Sequence, residues 1–174
     1  MNTKKLVRVS LLCAISVVLV YFIHFPLIPS APFLEYDPAD ISIIITGLAY
    51  GPGWGFLATL IVSVIQGITV SAGSGWIGIV MHIISTGVFV LTVSIIHKKT
   101  RKLIPSLVSG TIAMVAVMIP VNLVFTGIFM GTGVMTVVNM LIPVIIPFNL
   151  LKAGINAAVA GILFKRITKF TSID

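Results

Sequence analysis

Residues 6–25 read LVRVSLLCAISVVLVYFIHF, and Arg8 is their only Lys, Arg, Asp or Glu. A helix needs about 20 mostly apolar residues to cross the hydrocarbon core of a bilayer, so this stretch is long enough to do so. A cleaved secretory signal is the alternative, because basic residues precede the run and Ser30-Ala31 follows it, but the run is longer than the apolar part of an ordinary signal. The stretch therefore predicts a first transmembrane helix.

Composition extends this prediction to the whole chain. Of its 174 residues 58% are hydrophobic and 9% are charged, and the mean hydropathy is +1.21. Soluble domains carry a charge on roughly a quarter of their residues, so lipid must be the solvent of this protein. Spans of about 20 residues with short loops fill the chain. This predicts one all-α membrane domain over residues 1–174 with six transmembrane helices, which leaves no room for a soluble catalytic or ATP-binding domain.

Proline and glycine residues mark the limits of these helices. Pro26, Pro29 and Pro32 end the first helix and begin an outer loop. The turn Gly51-Pro52-Gly53 separates a short second helix from the third. The six predicted helices cover approximately residues 5–24, 37–51, 54–70, 76–96, 103–129 and 137–164.

Prolines also interrupt the outer halves of the last two predicted helices, at Pro120, Pro143 and Pro147. Irregular backbone at membrane depth is tolerated only where protein or a water-filled cavity receives it. We therefore expect a pocket, open to the outside, among the fourth, fifth and sixth helices and the first loop.

Basic residues indicate the orientation of the chain. Ten of the eleven Lys and Arg residues flank predicted helices in three clusters, 4–8, 98–102 and 165–169. Cytoplasmic loops carry an excess of Lys and Arg, and all three clusters fall on one side in a six-span count, so both termini are predicted to be cytoplasmic. The net charge of +7 forms no basic stripe among exposed aromatic residues, which disfavours nucleic acid as a partner.

Lys152 is the one basic residue outside the clusters, and it lies within the sixth predicted helix. A cation inside a span is costly and is a functional candidate by default. Asn149, Lys152 and Asn156 recur at i, i+3 and i+7 and so share one helical face. This polar stripe either contacts a ligand or bonds to neighbouring helices, and Lys152 could also snorkel if its helix begins at Pro147.

Four further residues are candidate ligand contacts, namely Tyr36, Trp76, His82 and Asn122. Tyr36 ends the first loop, Trp76 and His82 lie on the fourth helix, and Asn122 lies in the middle of the fifth. Each could equally stabilise helix packing, and Trp76 could be an anchor at the membrane surface.

Three of the four acidic residues lie together, at Glu35, Asp37 and Asp40. Asp37 suits the N-cap of the second helix, Pro38 its first position and Asp40 its first turn. A polar lid over the outer pocket is the other interpretation. No cluster of Cys, His, Asp and Glu has metal-site spacing, and no nucleophile is paired with a base, so the sequence predicts neither an enzyme nor a metal or cofactor site.

Four segments together resemble the substrate-binding S component of an energy-coupling factor (ECF) vitamin transporter, of the riboflavin, pantothenate and hydroxymethylpyrimidine type. They are LVRVSLLCAIS (6–16), PFLEYDPADI (32–41), GPGWG (51–55) and PFNLLK (147–152), and in this order they cover nearly the whole chain. The resemblance implies the six-helix S-component fold in a bacterial cell membrane. It also implies that a vitamin binds from outside, among the last three helices and the first loop.

The same resemblance implies partners that supply energy, a membrane coupling subunit of the EcfT type and two cytoplasmic ATPase subunits. Ser10 and Ala14, four residues apart in the first helix, form a small-xxx-small pair. Spacing alone leaves internal packing and a partner protein both open, and the resemblance assigns the pair to the coupling subunit. A stand-alone secondary transporter or channel for a small polar metabolite is the alternative function.

The substrate is predicted from departures from the family pattern. Where riboflavin binders tend to carry a Gly-Glu-Leu-Ala-Asn-like segment on the fourth helix, this chain has Gly78-Ile79-Val80-Met81-His82, which counts against riboflavin. Amide, imidazole and indole groups suit a neutral heterocycle such as hydroxymethylpyrimidine or pyridoxine. Pantothenate, an anion that needs a cation such as Lys152, is the next candidate.

Overall fold

The protein is almost entirely helical over residues 3–170, the part of the chain that the computed structural model describes. Its helices, in chain order, are α1 (Thr3–Phe22), α2 (Ala39–Tyr50), α3 (Pro52–Ile68), α4 (Gly75–Thr100), α5 (Leu103–Met130), α6 (Val134–Met140) and α7 (Ile146–Phe170). A 3-10 turn at Ala72–Ser74 leads into α4, and a π-helical turn at Leu141–Ile145 joins α6 to α7. The predicted all-α class is confirmed.

Within residues 3–170, four helical segments are long and apolar enough to cross a membrane. They are Thr3–Phe22, Ala72–Thr100, Leu103–Met130 and Val134–Lys169. The apolar helices α2 and α3 are shorter, with 12 and 17 residues, or about 18 and 26 Å at 1.5 Å per residue. All six predicted helical segments are therefore present, and a π turn divides the sixth where Pro143 removes a backbone donor.

Helix α2 lies at the centre of the bundle. It packs against α1, α3, α4 and α7, and every residue from Ala39 to Gly47 is buried. Ile41, Ile44 and Ile45 contribute to the apolar core. Polar side chains in this part of α2 are consequently surrounded by protein, and they must find partners on the neighbouring helices.

A glycine turn holds α2 and α3 together. Gly51 has φ +96° and ψ 169°, a backbone conformation that only glycine adopts readily, and Pro52 then begins α3. A Cβ atom on Gly55 would lie 2.8 Å from the Cα atom of Gly47, so the two helices approach closely, backbone to backbone. The predicted turn is confirmed, although α3 begins at Pro52 rather than at residue 54.

The proline-rich first loop folds back on itself and covers one end of the bundle. Strand β1 (Phe25–Pro26) pairs antiparallel with strand β2 (Glu35–Tyr36). Between them, Leu34 packs against Val144 of the π turn and Phe148 of α7. The loop is therefore anchored on the segment that begins the last long helix.

Candidate ligand-binding site

A cavity of about 150 Å³ opens at the end of the bundle that the first loop covers. The first loop, α3, the 3-10 turn, α4, α5 and α7 all contribute to its lining. Its apolar wall is formed by Phe33, Met81, Met114, Met118, Phe129 and Phe148. Its main polar side chains are Asp37, Ser63, Gln66, His82, Asn149 and Lys152. The sequence predicts a pocket among the last three predicted helices and the first loop, and the structure adds α3 as a further wall.

Lys152 on α7 forms a buried ion pair with Asp37, which lies just before α2. The distance from Lys152 Nζ to Asp37 Oδ2 is 2.7 Å, and Lys152 is 8% exposed. Gln66 Nε2 donates to the same carboxylate oxygen at 3.3 Å. Lys152 therefore does not snorkel, because a carboxylate from another element reaches it inside the protein and offsets part of the cost of burying its charge.

Asp40 is fully buried and connects α2 to two other helices. Its Oδ1 accepts hydrogen bonds from Thr86 Oγ1 at 2.7 Å and from His82 Nε2 at 3.1 Å, both on α4. Its Oδ2 accepts from Asn156 Nδ2 on α7 at 3.2 Å. Asp40 lies in the first turn of α2, as predicted. Because neighbouring helices enclose this end of α2, its carboxylate also bonds to them.

Asp37 fulfils only part of its predicted capping role. Helix α2 begins at Ala39 without a side-chain N-cap bond from Pro38, and Asp37 Oδ1 accepts from the Ala39 N–H at 3.2 Å. The other oxygen of the carboxylate faces Lys152 and Gln66. The second interpretation, a polar group at the pocket, describes Asp37 better, since this residue lines the cavity.

His82 uses both ring nitrogens inside the protein. Its Nε2 lies 3.1 Å from Asp40 Oδ1, and its Nδ1 lies 2.9 Å from Ser63 Oγ on α3. A carboxylate only accepts, so Nε2 carries the proton donated to Asp40, and Nδ1 bonds to the Ser63 hydroxyl. His82 lines the cavity, but what it offers a ligand is the ring rather than a hydrogen bond.

Tyr36 and Asn156 support the acidic residues from behind the cavity. The Tyr36 hydroxyl donates to Asn156 Oδ1 at 2.9 Å, and Asn156 Nδ2 donates to the Asp37 carbonyl at 3.1 Å in addition to Asp40. Burial, and next the negative charge of Asp37, raise the pKa of the Tyr36 hydroxyl, so it remains a donor. Neither residue is part of the cavity lining, and both hold the first loop and α2 against α7.

The side chains of Asp37, Asp40 and His82 also come together in a way that sequence spacing does not reveal. One potential ligand atom of each lies within 4.8 Å of those of the other two. The Lys152 ammonium group, however, already forms an ion pair with the Asp37 carboxylate, and the His82 nitrogen nearest to Asp40 carries a proton. The donor set is thus that of a hydrogen-bonded ion-pair network, and a metal ion would have to displace Lys152.

Comparison with known proteins identifies the family. The family model for the substrate-specific component of ECF transporters matches residues 4–164. The chain belongs to this family. Its fold agrees, since the solved structure of the S component of a bacterial ECF transporter superposes with a TM-score of 0.84 at 29% identity, covering 98% of both chains.

Curated relatives of this S component are similar over nearly their whole length. Riboflavin transporter FmnP of Bacillus subtilis (strain 168) is 30% identical, over 96% of this chain and 93% of the relative. Riboflavin transporter RibU of Lactococcus lactis subsp. cremoris (strain NZ9000) is 29% identical, over 93% and 92%. The family consists of transporter components and not of enzymes, so the contact of Ser63 and Asp40 with His82 serves structure, although hydrolases use the same three residue types.

The remaining predicted contacts of the S component lie in three different environments. Asn149 lines the cavity, and its Nδ2 donates to the Ile145 carbonyl at 2.8 Å, which leaves its amide oxygen for other partners. Asn122 lies behind the wall, where it bonds to Met118 O and Thr126 Oγ1 at 2.8 and 2.7 Å. Trp76 is 61% exposed and outside the lining, as an interfacial anchor would be. Of the seven predicted contacts, His82, Asn149 and Lys152 line the cavity.

Ser10 and Ala14 lie on the exposed side of α1. The buried side of this helix is formed by Val9, Cys13, Ser16 and Val20. Packing within the S component therefore does not use the small-xxx-small pair. Contact of this pair with a partner protein stays a prediction.

The sequence indicates Ser63 and Gln66 only as part of a polar face of the third helix, which the predicted site leaves out, and it underestimates Asp37. One signal was available for Asp37, because a lysine inside a membrane protein needs a counter-ion and three of the four acids lie in one short segment. Ser63 and Gln66 share a helical face with Thr59. Only the packing of α3 against α4 establishes that this face borders the cavity.

Proposed function

We propose that this S component captures riboflavin from the outside of a bacterial cell membrane. A coupling subunit of the EcfT type with two ATPase subunits would then use ATP to release the vitamin inside. The main support is the two-sided cavity, in which Phe and Met side chains form one wall and hydroxyl, amide and charged groups form the other. Riboflavin combines a flat aromatic ring system with a chain of hydroxyl groups, and polarizable walls suit such rings.

The charge of the site favours a neutral ligand over pantothenate. Lys152 is the one cation on the polar wall, and Asp37 already pairs with it at 2.7 Å. An anionic ligand would have to compete with this carboxylate for the ammonium group or lie beside it unpaired. A neutral polyol avoids this conflict, since hydroxyl groups can donate to Asp37 and accept from Lys152 without disrupting the pair.

The relatives named as riboflavin transporters count for more than the one segment of this chain that disfavours riboflavin. His82 and its neighbours lie where riboflavin binders tend to carry a different segment. Since both His82 nitrogens bond to Ser63 and Asp40, this difference changes the polar network of the protein and leaves an aromatic ring facing the ligand. The relatives named as riboflavin transporters therefore support riboflavin ahead of hydroxymethylpyrimidine or pyridoxine.

The proposal includes a six-span arrangement with both termini in the cytoplasm. It is supported by the basic cluster 98–102 at the connection of α4 and α5 and by the clusters near both termini. In this orientation the first loop and the cavity face outward. The exposed Ser10 and Ala14 pair then provides the contact surface for the coupling subunit.

Titration of the purified protein in detergent tests the substrate. Riboflavin, pyridoxine, hydroxymethylpyrimidine and pantothenate are compared by calorimetry, without ATP or partner subunits. We expect riboflavin to bind in the nanomolar range and the other three to bind at least about 100-fold more weakly, a difference of about 2.7 kcal/mol. Tighter binding of pyridoxine or hydroxymethylpyrimidine would restore the original substrate prediction.

Uptake by reconstituted vesicles separates the S component from a stand-alone transporter. Vesicles that contain this protein alone should bind riboflavin without accumulating it. Vesicles that also contain the coupling subunit and the ATPases should accumulate it when ATP is inside. Accumulation by the protein alone would refute the dependence on partners.

A further inference from the structure

Gln66 on α3 contributes to the cavity lining, and its side chain carries a buried acceptor that is unpaired within the described part of the chain. Its side chain is 7% exposed and contributes to the cavity wall. Among the described residues, its Oε1 atom is buried and has no hydrogen-bond partner. A buried acceptor without a donor costs about 1–3 kcal/mol, so this atom calls for a partner that the protein itself does not provide.

The orientation of the Gln66 amide is determined by its neighbours. Nε2 donates to Asp37 Oδ2 at 3.3 Å and to Ser71 Oγ at 3.4 Å. Rotating the amide by half a turn would place Oε1 against the Asp37 carboxylate, which can only accept. The surrounding groups thus keep the unpaired atom as an oxygen and turn it away from Asp37.

The backbone at Gln66 is equally constrained. Its carbonyl accepts hydrogen bonds from the N–H groups of Thr69 and Ser71, at 3.2 and 2.9 Å, where α3 ends. On the next residue, Gly67, a Cβ would collide with Ile79 of α4, so α3 and α4 are in close contact here. The backbone of Gln66 is therefore held in place before any ligand arrives, which reduces the cost of ordering a contact at this position.

We propose that Gln66 is a specificity-determining ligand contact, whose Oε1 accepts a hydrogen bond from an N–H or O–H group of the bound molecule. This inference rests on the proposed function and adds α3 to the parts of the chain that contact the vitamin. A site built around a buried hydrogen-bonding group rejects an analogue that lacks the matching group much more strongly than a merely apolar wall does.

Riboflavin offers two kinds of donor, and two analogues separate them. 3-Methylriboflavin lacks the ring imide N–H and keeps the ribityl hydroxyls. Lumiflavin keeps the imide N–H and has a methyl group in place of the ribityl chain. The affinity of each analogue relative to riboflavin is measured by calorimetry for the wild-type protein and for Gln66→Met, which keeps the length of the side chain and removes the acceptor.

We expect the effect of the substitution on affinity to depend on which analogue is bound. Gln66→Met should bind riboflavin about tenfold more weakly. The affinity ratio between riboflavin and the analogue that lacks the contacted donor should be about tenfold smaller in the variant than in the wild type. Coupling to 3-methylriboflavin identifies the imide, and coupling to lumiflavin identifies the ribityl chain.

Ile65→Met is the matched control, because Ile65 is the neighbouring residue, is 36% exposed and is not part of the cavity lining. It should leave all three affinities unchanged. Should Gln66→Met not fold, the wild type still tests the proposal, since at least one analogue must bind about tenfold more weakly than riboflavin.

The two proposals fail in different ways. If the wild type binds riboflavin and Gln66→Met shows the same ratios for both analogues, Gln66 is not a ligand contact and the proposed function stands. If the wild type binds both analogues as tightly as riboflavin, the contact is likewise refuted. If the wild type does not bind riboflavin at all, the proposed substrate is wrong, and this is seen before any variant is compared.

Discussion

Asp37 is the residue at which the first loop, α2, α3 and α7 meet. Its two carboxylate oxygens accept from Ala39 N at 3.2 Å, from Gln66 Nε2 at 3.3 Å and from Lys152 Nζ at 2.7 Å. Lys152 in turn is held by this one carboxylate. The pair is therefore mutually dependent, and the loss of either member leaves the other charge buried and unpaired.

Removal of Lys152 should destabilise the protein, and removal of both charges should restore much of the loss. Lys152→Met leaves Asp37 without its counter-ion, which costs about 3–5 kcal/mol for a buried pair. The double variant Asp37→Asn with Lys152→Met should be clearly more stable than the sum of the two single losses predicts. Unfolding of the protein in detergent measures these differences.

Lys165→Met is the control for this comparison, because Lys165 lies on the same helix and is exposed. It should change the free energy of unfolding by about 0.5 kcal/mol or less. Strictly additive effects of the Asp37 and Lys152 substitutions would contradict the dependence of one charge on the other.

At this scale the sequence predicted which side chains are buried better than it predicted their partners. The spacing of Asn149, Lys152 and Asn156 correctly indicated one shared polar face, and these residues are 2%, 8% and 0% exposed. The partners Asp37 and Asp40 are more than a hundred residues away in the chain. Local rules assigned those acids to helix capping, because capping depends on neighbours in sequence, whereas ion pairing depends on which helices meet.

Among the helices and turns, the connection between α2 and α3 depends most strongly on single residues. Gly51 has φ +96°, and Gly53, two residues later, lies within α3 with no atom within 4 Å of where a Cβ would be. The two glycines differ in backbone conformation while both have free space around them. Substitution by alanine therefore isolates the effect of backbone strain.

Gly51→Ala should lower the stability of the protein by about 1–3 kcal/mol, because a Cβ disfavours this backbone conformation. Gly53→Ala should be neutral or should stabilise α3 by up to about 1 kcal/mol, because alanine favours helix more than glycine does. Thermal unfolding of both variants in the same detergent gives the comparison. Equal effects of the two substitutions would show that the turn does not require glycine.

The long helices followed from the sequence, whereas the division of the last one did not. Apolar runs between Pro and Gly turns indicated six helical segments, with limits a few residues from those observed. Pro143 and Pro147 indicated irregular backbone, but they do not specify its form. The π turn at Leu141–Ile145 arises where Val144 and Phe148 pack against the first loop, and that contact depends on the tertiary fold.

For the molecule as a whole, the surface of α1 is the one whose role can be tested separately from ligand binding. Helix α1 contributes nothing to the cavity lining, and Ala14 lies on its exposed side. Ala14→Trp should reduce co-purification with the coupling subunit and the ATPases by about tenfold or more, since small residues permit close helix contact. Its affinity for riboflavin should stay unchanged.

Ile112→Trp provides the control, because Ile112 is 62% exposed on α5, away from the small-residue pair. This variant should co-purify with the partner subunits as the wild type does. If Ala14→Trp co-purifies normally, or if both variants lose co-purification equally, α1 is not the docking surface.

The first loop and α7 are joined at several points that differ in chemistry. Leu34 packs on Phe148, Tyr36 donates to Asn156, and Asp37 pairs with Lys152. The hydrogen bond from Gln66 to Asp37 links the loop to α3. Three contacts of different chemistry thus hold the first loop to α7, and one hydrogen bond, donated by the residue proposed as a ligand contact, links it to α3.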